Sequence, residues 1–280
     1  YDYAAFAMPL DNESAIGISL IRFAVDDILN TTQLIDEQGN INYDRISLFS
    51  TADYGLTFSY ARSLPVQGLN YGVNAKVIRR VIGDFASSWG FGLDLGVQFE
   101  TNNNWKFGIM ARDITTTFNA WAINEDEFAK IQNAVAGQNQ ELPKTTEITI
   151  PKLQIGVSKL FDFNIDYTLL TALNLNVRFE ENNDIISTSF ASINPALGFE
   201  FGYTDMVFLR AGVGNFQNET QLESISVSPI PEKSTFQPSF GVGFKYNGIQ
   251  IDYAFTDIGD QSVALYSNVF SLKLDFSIFR

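Results

Sequence analysis

The sequence contains neither cysteine nor histidine, carries only 18 Lys and Arg against 32 Asp and Glu, and has no long apolar run. Each absence removes a class of protein. Without cysteine there is no disulfide framework and no thiolate metal site, so a chain facing an oxidising compartment must be held by its secondary structure alone. Without histidine, the outer-membrane phospholipases, acyltransferases and proteases that use an imidazole as general base or orienting group are excluded. A formal net charge of −14 leaves no clustered cations for a polyanion, which excludes nucleic acid as a partner. Although 45% of residues are hydrophobic, no stretch reaches the ~18 consecutive apolar residues of a membrane helix. Gly-rich phosphate loops, nucleophile elbows and metal-ligand spacings are missing as well, so the expectation is a non-enzyme with no cofactor, metal or catalytic residue. The carboxylate pairs Asp26-Asp27 and Glu180-Glu181 read as solvated surface rather than as acid–base or calcium sites.

What is present is alternation. From Trp89 to Glu100 the chain reads Trp-Gly-Phe-Gly-Leu-Asp-Leu-Gly-Val-Gln-Phe-Glu, apolar at every odd position and small or polar at every even one. Only a β-strand uses that period, with one continuous apolar face and one polar face. The same rhythm predicts thirteen strands, near residues 2–9, 14–23, 51–61, 68–82, 88–100, 104–113, 146–159, 163–180, 192–203, 206–215, 234–246, 249–257 and 266–279. Many approach the ~9–11 residues that a tilted strand needs to cross a bilayer, against ~5–6 for soluble strands. Short gaps at 10–13, 63–67, 101–103, 161–162, 204–205 and 247–248 alternate with longer ones, among them 24–50, 114–145, 181–191 and 216–233. This is the loop pattern of an outer-membrane barrel, with short periplasmic turns and long extracellular loops. The expected fold is therefore all-β: one antiparallel transmembrane β-barrel over residues 1–280, in contact with outer-membrane lipid and lipopolysaccharide. With the short gaps and the C-terminus periplasmic, the first visible strand descends, which calls for one more strand before Tyr1 and about fourteen in all. No signal peptide is visible at Tyr1.

Parity sorts the charges. Lys76, Arg80, Asp94, Glu100, Lys106, Arg112, Arg178, Glu200, Arg210, Lys245, Asp252, Lys273 and Asp275 fall on the polar, lumen-facing side. Both signs are represented, which suits ladders of ion pairs, water or a plug better than an ion-selective pore. Glycines at 90, 92, 96, 198, 202, 241 and 243 leave lumenal room for loops, a plug or a ligand. Arg22, Arg79 and Lys159 share the outward parity and are placed at strand ends, where long side chains reach headgroups. Between Ile148 and Leu153 the parity switches at Pro151, which reads as a β-bulge. Inside the 114–145 gap, Asn124 is an N-cap followed by acidic residues, and Gly137 a stop, for one short loop helix. Phe118, Trp121, Phe128, Ile131 and Val135 are the apolar residues of that loop that would dock into the barrel mouth or bind a partner.

Several segments resemble the PorV/PorQ family of FadL-like outer-membrane barrels, found with the type IX secretion system of Bacteroidetes. They are 16–28 (Ile-Gly-Ile-Ser-Leu-Ile-Arg-Phe-Ala-Val-Asp-Asp-Ile), 71–76, 91–96, 105–114, 194–203 (Asn-Pro-Ala-Leu-Gly-Phe-Glu-Phe-Gly-Tyr), 209–212 and 252–255. Each is weak alone, and order and spacing give them weight together. The resemblance implies an accessory of type IX secretion that binds the translocon barrel, attachment partners or secreted cargo through its C-terminal sorting domain. The alternative is a FadL-like channel for hydrophobic small molecules. Asn194, Pro195 and Ala196 are similar to a FadL-type motif tied to a lateral opening. Pro195 also stands at a strand start, where proline is tolerated without further purpose.

Overall fold

The computed structural model describes residues 1–31, 33–35, 39–134, 145–220, 232–256 and 266–276, without the side chains of 130–134, 219–220 and 232–233. The chain runs through β1 (Asp2–Pro9), β2 (Ser14–Asn30), β3 (Ser47–Ser63), β4 (Leu69–Ile82), β5 (Ala86–Glu100), β6 (Trp105–Arg112), β7 (Thr117–Ile123), α1 (Glu125–Ala134) and β8 (Thr146–Thr149). It continues through β9 (Lys152–Asp162), β10 (Tyr167–Arg178), β11 (Ile186–Ser187), β12 (Ser192–Tyr203), β13 (Val207–Thr220), β14 (Glu232–Tyr246), β15 (Ile249–Thr256) and β16 (Ser267–Leu274). Hydrogen-bonded neighbours follow the order β1, β2, β3, β4, β5, β6, β9, β10, β12, β13, β14, β15, β16, so thirteen strands form a meander and β7, β8 and β11 lie off it. Contacts group into two units: Tyr1–Leu64 with Tyr71–Leu95 and Arg112–Pro151, and Pro65–Asn70 with Gly96–Ala111 and Lys152–Arg280.

Polarity is inverted relative to a soluble protein. Among the described residues no hydrophobic side chain is buried, whereas Ser88, Asp94, Thr117, Asn119, Asp184, Ser192 and Asn194 are. On β5 the alternation is explicit: Trp89, Phe91, Leu93 and Leu95 are exposed, while Ser88, Gly90, Gly92 and Asp94 are buried. An apolar face left uncovered over so many strands needs an apolar solvent, which a bilayer supplies.

β2 and β13 run on beyond their expected ends for one reason, a bulge, and β3 starts four residues early to pair with the extended β2. β2 pairs with β3 up to Asn30↔Ser47 through a bulge between Val25 and Ile28, with Asp27 at φ 57°. The Asp26-Asp27 pair thus belongs to the bulge, not to a loop. β13 extends to Thr220 through a second bulge between Gly214 and Gln217, with Asn215 at φ 50°. An extra residue reverses the parity, which hides the continuation from a period-two reading. Because β2 is so long, Arg22 lies mid-strand rather than at an end, opposite Asp2 and Tyr54, with its guanidinium 3.1 Å from Asp2.

Residues 146–159 differ from expectation too. They do not form one bulged strand: β8 pairs with β7, β9 pairs with β10, and the chain changes partner across Ile150 and Pro151. The turn after β9 lies at 163–166, not 161–162, closed by Asn164 Oδ1 accepting from the Asp166 and Tyr167 amides. At the β14–β15 hairpin Asn247 (φ 46°) and Gly248 (φ 79°) take the left-handed pair of angles that a two-residue type I′ turn demands. Ser277 and Ile278 of the last predicted strand lie outside the described residues.

Candidate functional site: a break in the sheet at Pro195

One edge of β12 is complete. Its residues pair with β10 in twelve consecutive positions, from Tyr203↔Tyr167 to Ser192↔Arg178. The opposite edge pairs with β13 only from Tyr203↔Val207 to Leu197↔Val213, after which β13 continues along β14 without β12. Ser192, Ile193, Asn194, Pro195 and Ala196 therefore have no partner on β13's ladder. Proline explains the position. Thr204 donates to Asp166 O on the β10 side, so in the alternating antiparallel pattern the odd residues of β12 address β13. Pro195 would have to donate there and has no N–H.

A loop segment fills the break. Residues Ile186 and Ser187 of β11 pair with Ile193 and Ser192. On its other side the Ile185 amide donates to Phe216 O (3.1 Å), the Asn218 amide donates to Asn183 O (2.7 Å), and Asp184 bridges Gln217. Residues 183–187 thus form a wedge between β12 and β13. Its side-chain anchor is Asp184, whose carboxylate has no solvent exposure and sits 3.3 Å from Arg178. Oδ2 accepts from Ser192 Oγ (2.8 Å) and Oδ1 from Asn194 Nδ2 (2.8 Å), which also donates to Phe216 O (3.3 Å). A buried carboxylate is tolerable only with such a complete set of donors. Of the sequence-predicted motif, Asn194 and Ala196 fall on the polar face and Pro195 on the apolar one. Ala196 packs so near Gly214 that a Cβ there would lie 3.1 Å from the Ala196 methyl.

Toward the short-turn end, the same polar face carries a charged triad. Arg210 Nε lies 2.5 Å from Glu200 Oε2 and Nη1 2.5 Å from Asp252 Oδ1, while Gln250 donates to Asp252. Gly243 makes this possible, since a Cβ there would collide with Asp252 and Arg210. Gly198 and Gly212, paired with each other, lie between triad and wedge, and a Cβ on Gly198 would meet nothing within 4 Å.

The first unit has a filled split of its own. β7 pairs with β5 from Ala86↔Ile123 to Phe91↔Phe118, so Phe118 and Trp121 lie on a strand rather than in a docking loop. They face opposite ways. Phe118 is 50% exposed beside Phe91 on the apolar face. Trp121 lies under Arg80, its ring centroid 5.4 Å from the guanidinium, and donates to Glu147 (3.1 Å). Arg80 also pairs with Asp53 and Glu147. Lys76 bridges Asp94 (2.7 Å) and Asp113 (2.5 Å), and Thr117 donates to Asp113. Helix α1 begins as its sequence indicates, with Asn124 Oδ1 accepting from the Asp126 and Glu127 amides. Phe128 is half-buried; Ile131 lies on α1 with its side chain undescribed, and Val135 and Gly137 lie outside the described residues.

The remaining predicted lumenal charges lie nearer to solvent. Glu100 pairs with Lys106 at 3.4 Å, both partly exposed, and Arg112, Lys245, Lys273 and Asp275 are exposed. Of the outward cations, Arg79 lies over Trp89 (5.1 Å) and Lys159 over Trp105 (5.3 Å), as amphipathic side chains do at a membrane interface. Sequence reasoning missed Asp184, which lies in a loop outside every periodic segment, and Asp113, which closes the predicted strand 104–113 on its outward parity. The one signal was polar Ser192 and Asn194 on alternate positions just before Pro195.

The sequence matches no protein-family model and no curated protein. Its structure is similar to that of the toluene transporter TodX of Pseudomonas putida, with TM-score 0.56 and 12% identity over 96% of this chain and 79% of that one. The toluene transporter TbuX of Ralstonia pickettii gives 0.52 and 10% over 98% and 81%. The monoaromatic hydrocarbon channel CymD gives 0.51 and 12% over 91% and 76%. At such identities the likeness concerns the fold. The chain has the fold of these antiparallel transmembrane β-barrels.

Proposed function

We propose that the protein is an outer-membrane channel for small hydrophobic molecules. The observation that carries this reading is the interrupted pairing of β12 and β13 at Asn194, Pro195 and Ala196, where only the short segment 183–187 closes the sheet between its polar and apolar faces. A solute such as toluene gains roughly 25 cal/mol per Å² of apolar surface on leaving water for lipid, so a sideways exit is downhill. The way along the polar face toward the short turns leads over the Glu200–Arg210–Asp252 triad, where an apolar solute gains nothing. Transport of toluene and monoaromatic hydrocarbons by proteins of the same fold supports the reading. In this reading the long loops are extracellular, the short turns periplasmic, and the exposed apolar face meets lipid and lipopolysaccharide.

The test is uptake of radiolabelled toluene by cells whose outer membrane carries the protein, compared with cells that lack an added channel. Faster uptake is expected, and equal rates would overturn the proposal. A second reading, an accessory of type IX secretion, is favoured by the family resemblance and by the β7, α1 and β8 excursion between β6 and β9. It predicts that cargo with a C-terminal sorting domain, or the translocon barrel, co-purifies in stoichiometric amount from a native membrane. The barrel fold shared with hydrocarbon transporters supports the channel reading over this one.

A further inference from the structure

We infer that residues 183–187 are a gate, a wedge that closes the break between β12 and β13 and opens by parting from β13 while Asp184 keeps it on β12. The inference rests on the channel reading, since the gate controls the exit assigned there. Three observations carry it. The first is the need for closure. Without the wedge, the β12 and β13 backbone groups at the break would face hydrocarbon unpaired, which a bilayer does not tolerate.

The second is how briefly the wedge is held. Two register pairs join it to β12, and on the β13 side it has the Asp184–Gln217 bridge with the two flanking amide bonds. By comparison, β10 and β12 share twelve consecutive pairs. Short ladders of this kind open locally long before the sheet does.

The third observation is where the side-chain ties run. Asp184 binds Arg178 of β10 and Ser192 and Asn194 of β12, so β10, wedge and β12 are tied as one body. Across the bulge, Asn215 donates to Gln237 of β14 (2.9 Å), Gln217 donates to Asn215 (2.9 Å), and the Phe216 ring lies 6.1 Å from Phe236. The upper part of β13 is thereby tied to β14. The bonds between these two bodies include the Ile185 and Asn218 amide bonds and one from Asn194 to Phe216 O. The seam lies there. Opening along it sacrifices few bonds, leaves the buried Asp184 carboxylate with all its donors, and exposes a gap whose lower rim is Ala196 against Gly214.

The absence of native cysteine allows a clean test. Asn183→Cys with Asn218→Cys places two thiols across the seam. After oxidation, toluene uptake by cells carrying this variant should fall to that of cells without the protein, and return on reduction. Uptake that is the same oxidised and reduced, at confirmed crosslinking, overturns the gate. A second variant, Ile186→Cys with Ile193→Cys, spans the wedge and β12 instead. Blockage by this crosslink and not by the first puts the seam on the wrong side and also overturns the inference. If wild-type cells take up no toluene, the channel reading fails independently, and the gate is then decided by amide hydrogen exchange in detergent. The seam amides of Ile185 and Asn218 should exchange faster than that of Ile186, which is held on β12, and that of Leu209; exchange at Ile186 as fast as at the seam overturns the gate.

Discussion

β7 and β11 are answers to the same problem in two regions of the molecule, and they differ in how firmly they are held. Each is a short strand off the main meander, set against the edge of a longer strand: β7 on β5, β11 on β12. β7 pairs with β5 in six positions and with β8 in four, whereas β11 pairs with β12 in two. β7 is also interlocked with its neighbour. Asn119 and Thr117 occupy the space that a Cβ on Gly90 or Gly92 would take, and Asp94 and Asp113 are drawn together by Lys76 at the strand's entrance. The wedge has one anchor, Asp184, directed to one side. A longer ladder, steric interlock and a shared cation make β7 a fixed part of the sheet, while a short ladder with a one-sided anchor makes the wedge separable.

The comparison breaks most readily at Lys76. Its ammonium is the counter-charge of two carboxylates whose side chains are only 4% and 11% exposed. Lys76→Ala leaves both buried without their bridging counter-charge and should cost ~3–5 kcal/mol, seen as a lower unfolding temperature in detergent or as failure to fold. An unchanged temperature would mean that β7 is not held by this cluster.

Glycine substitution sharpens the steric half of the argument. Gly92→Ala drives a methyl into Thr117 and should destabilise by ~1–3 kcal/mol, whereas Gly198→Ala, which meets nothing within 4 Å, should stay within ~0.5 kcal/mol. Denaturant titration of both variants side by side measures the difference, and equal losses would refute the interlock.

Asn194→Leu removes the donor that joins Asp184 to the wedge's far neighbour Phe216 O. A local loss of ~1–2 kcal/mol is expected, read as faster amide exchange at Ile185 and Asn218 with no change at Trp121. Faster exchange at Trp121 would show that the two regions are not separately held.

The smallest effect is in the β1–β2 turn, which neither region uses. The Glu13 amide, the Ser14 hydroxyl and the Ser14 amide all donate to Asp11 and hold its carboxyl below the usual range. A lowered folded value means that the contribution is present above the unfolded value and is lost as pH falls through the folded one. Acid titration followed by NMR should loosen the Glu13 and Ser14 amides as the pH falls through the folded value, and amides that stay unmoved would show that Asp11 does not hold the turn.

Much of the fold was legible because a strand with lipid on one face must alternate. Thirteen strands were expected and thirteen lie on the meander, with β1 and β12 matching to the residue. Reading failed where the period failed. The bulges at Asp27 and Asn215 reverse parity, so β2 and β13 looked about half a strand shorter than they are. β7 looked like loop because its seven residues follow a tight turn at Asp113 and because its partner β5 already had a neighbour in β6.

The candidate site was half legible. Asn194, Pro195 and Ala196 stood out by residue type, and proline's missing donor is a local property that any fold must accommodate. Asp184, ten residues earlier, carried no signal, since a lone acidic residue in a polar loop looks like solvated surface.

What the sequence determined by itself is whatever depends on neighbours along the chain: strand identity, the two faces, the cap of α1 and the chemistry excluded by missing histidine and cysteine. Which strand edge runs short of partners, which loop returns to fill it, and which carboxylate is buried there were decided only by tertiary structure. Those outcomes depend on hydrogen-bonding groups far apart in sequence that must be satisfied together once water is removed.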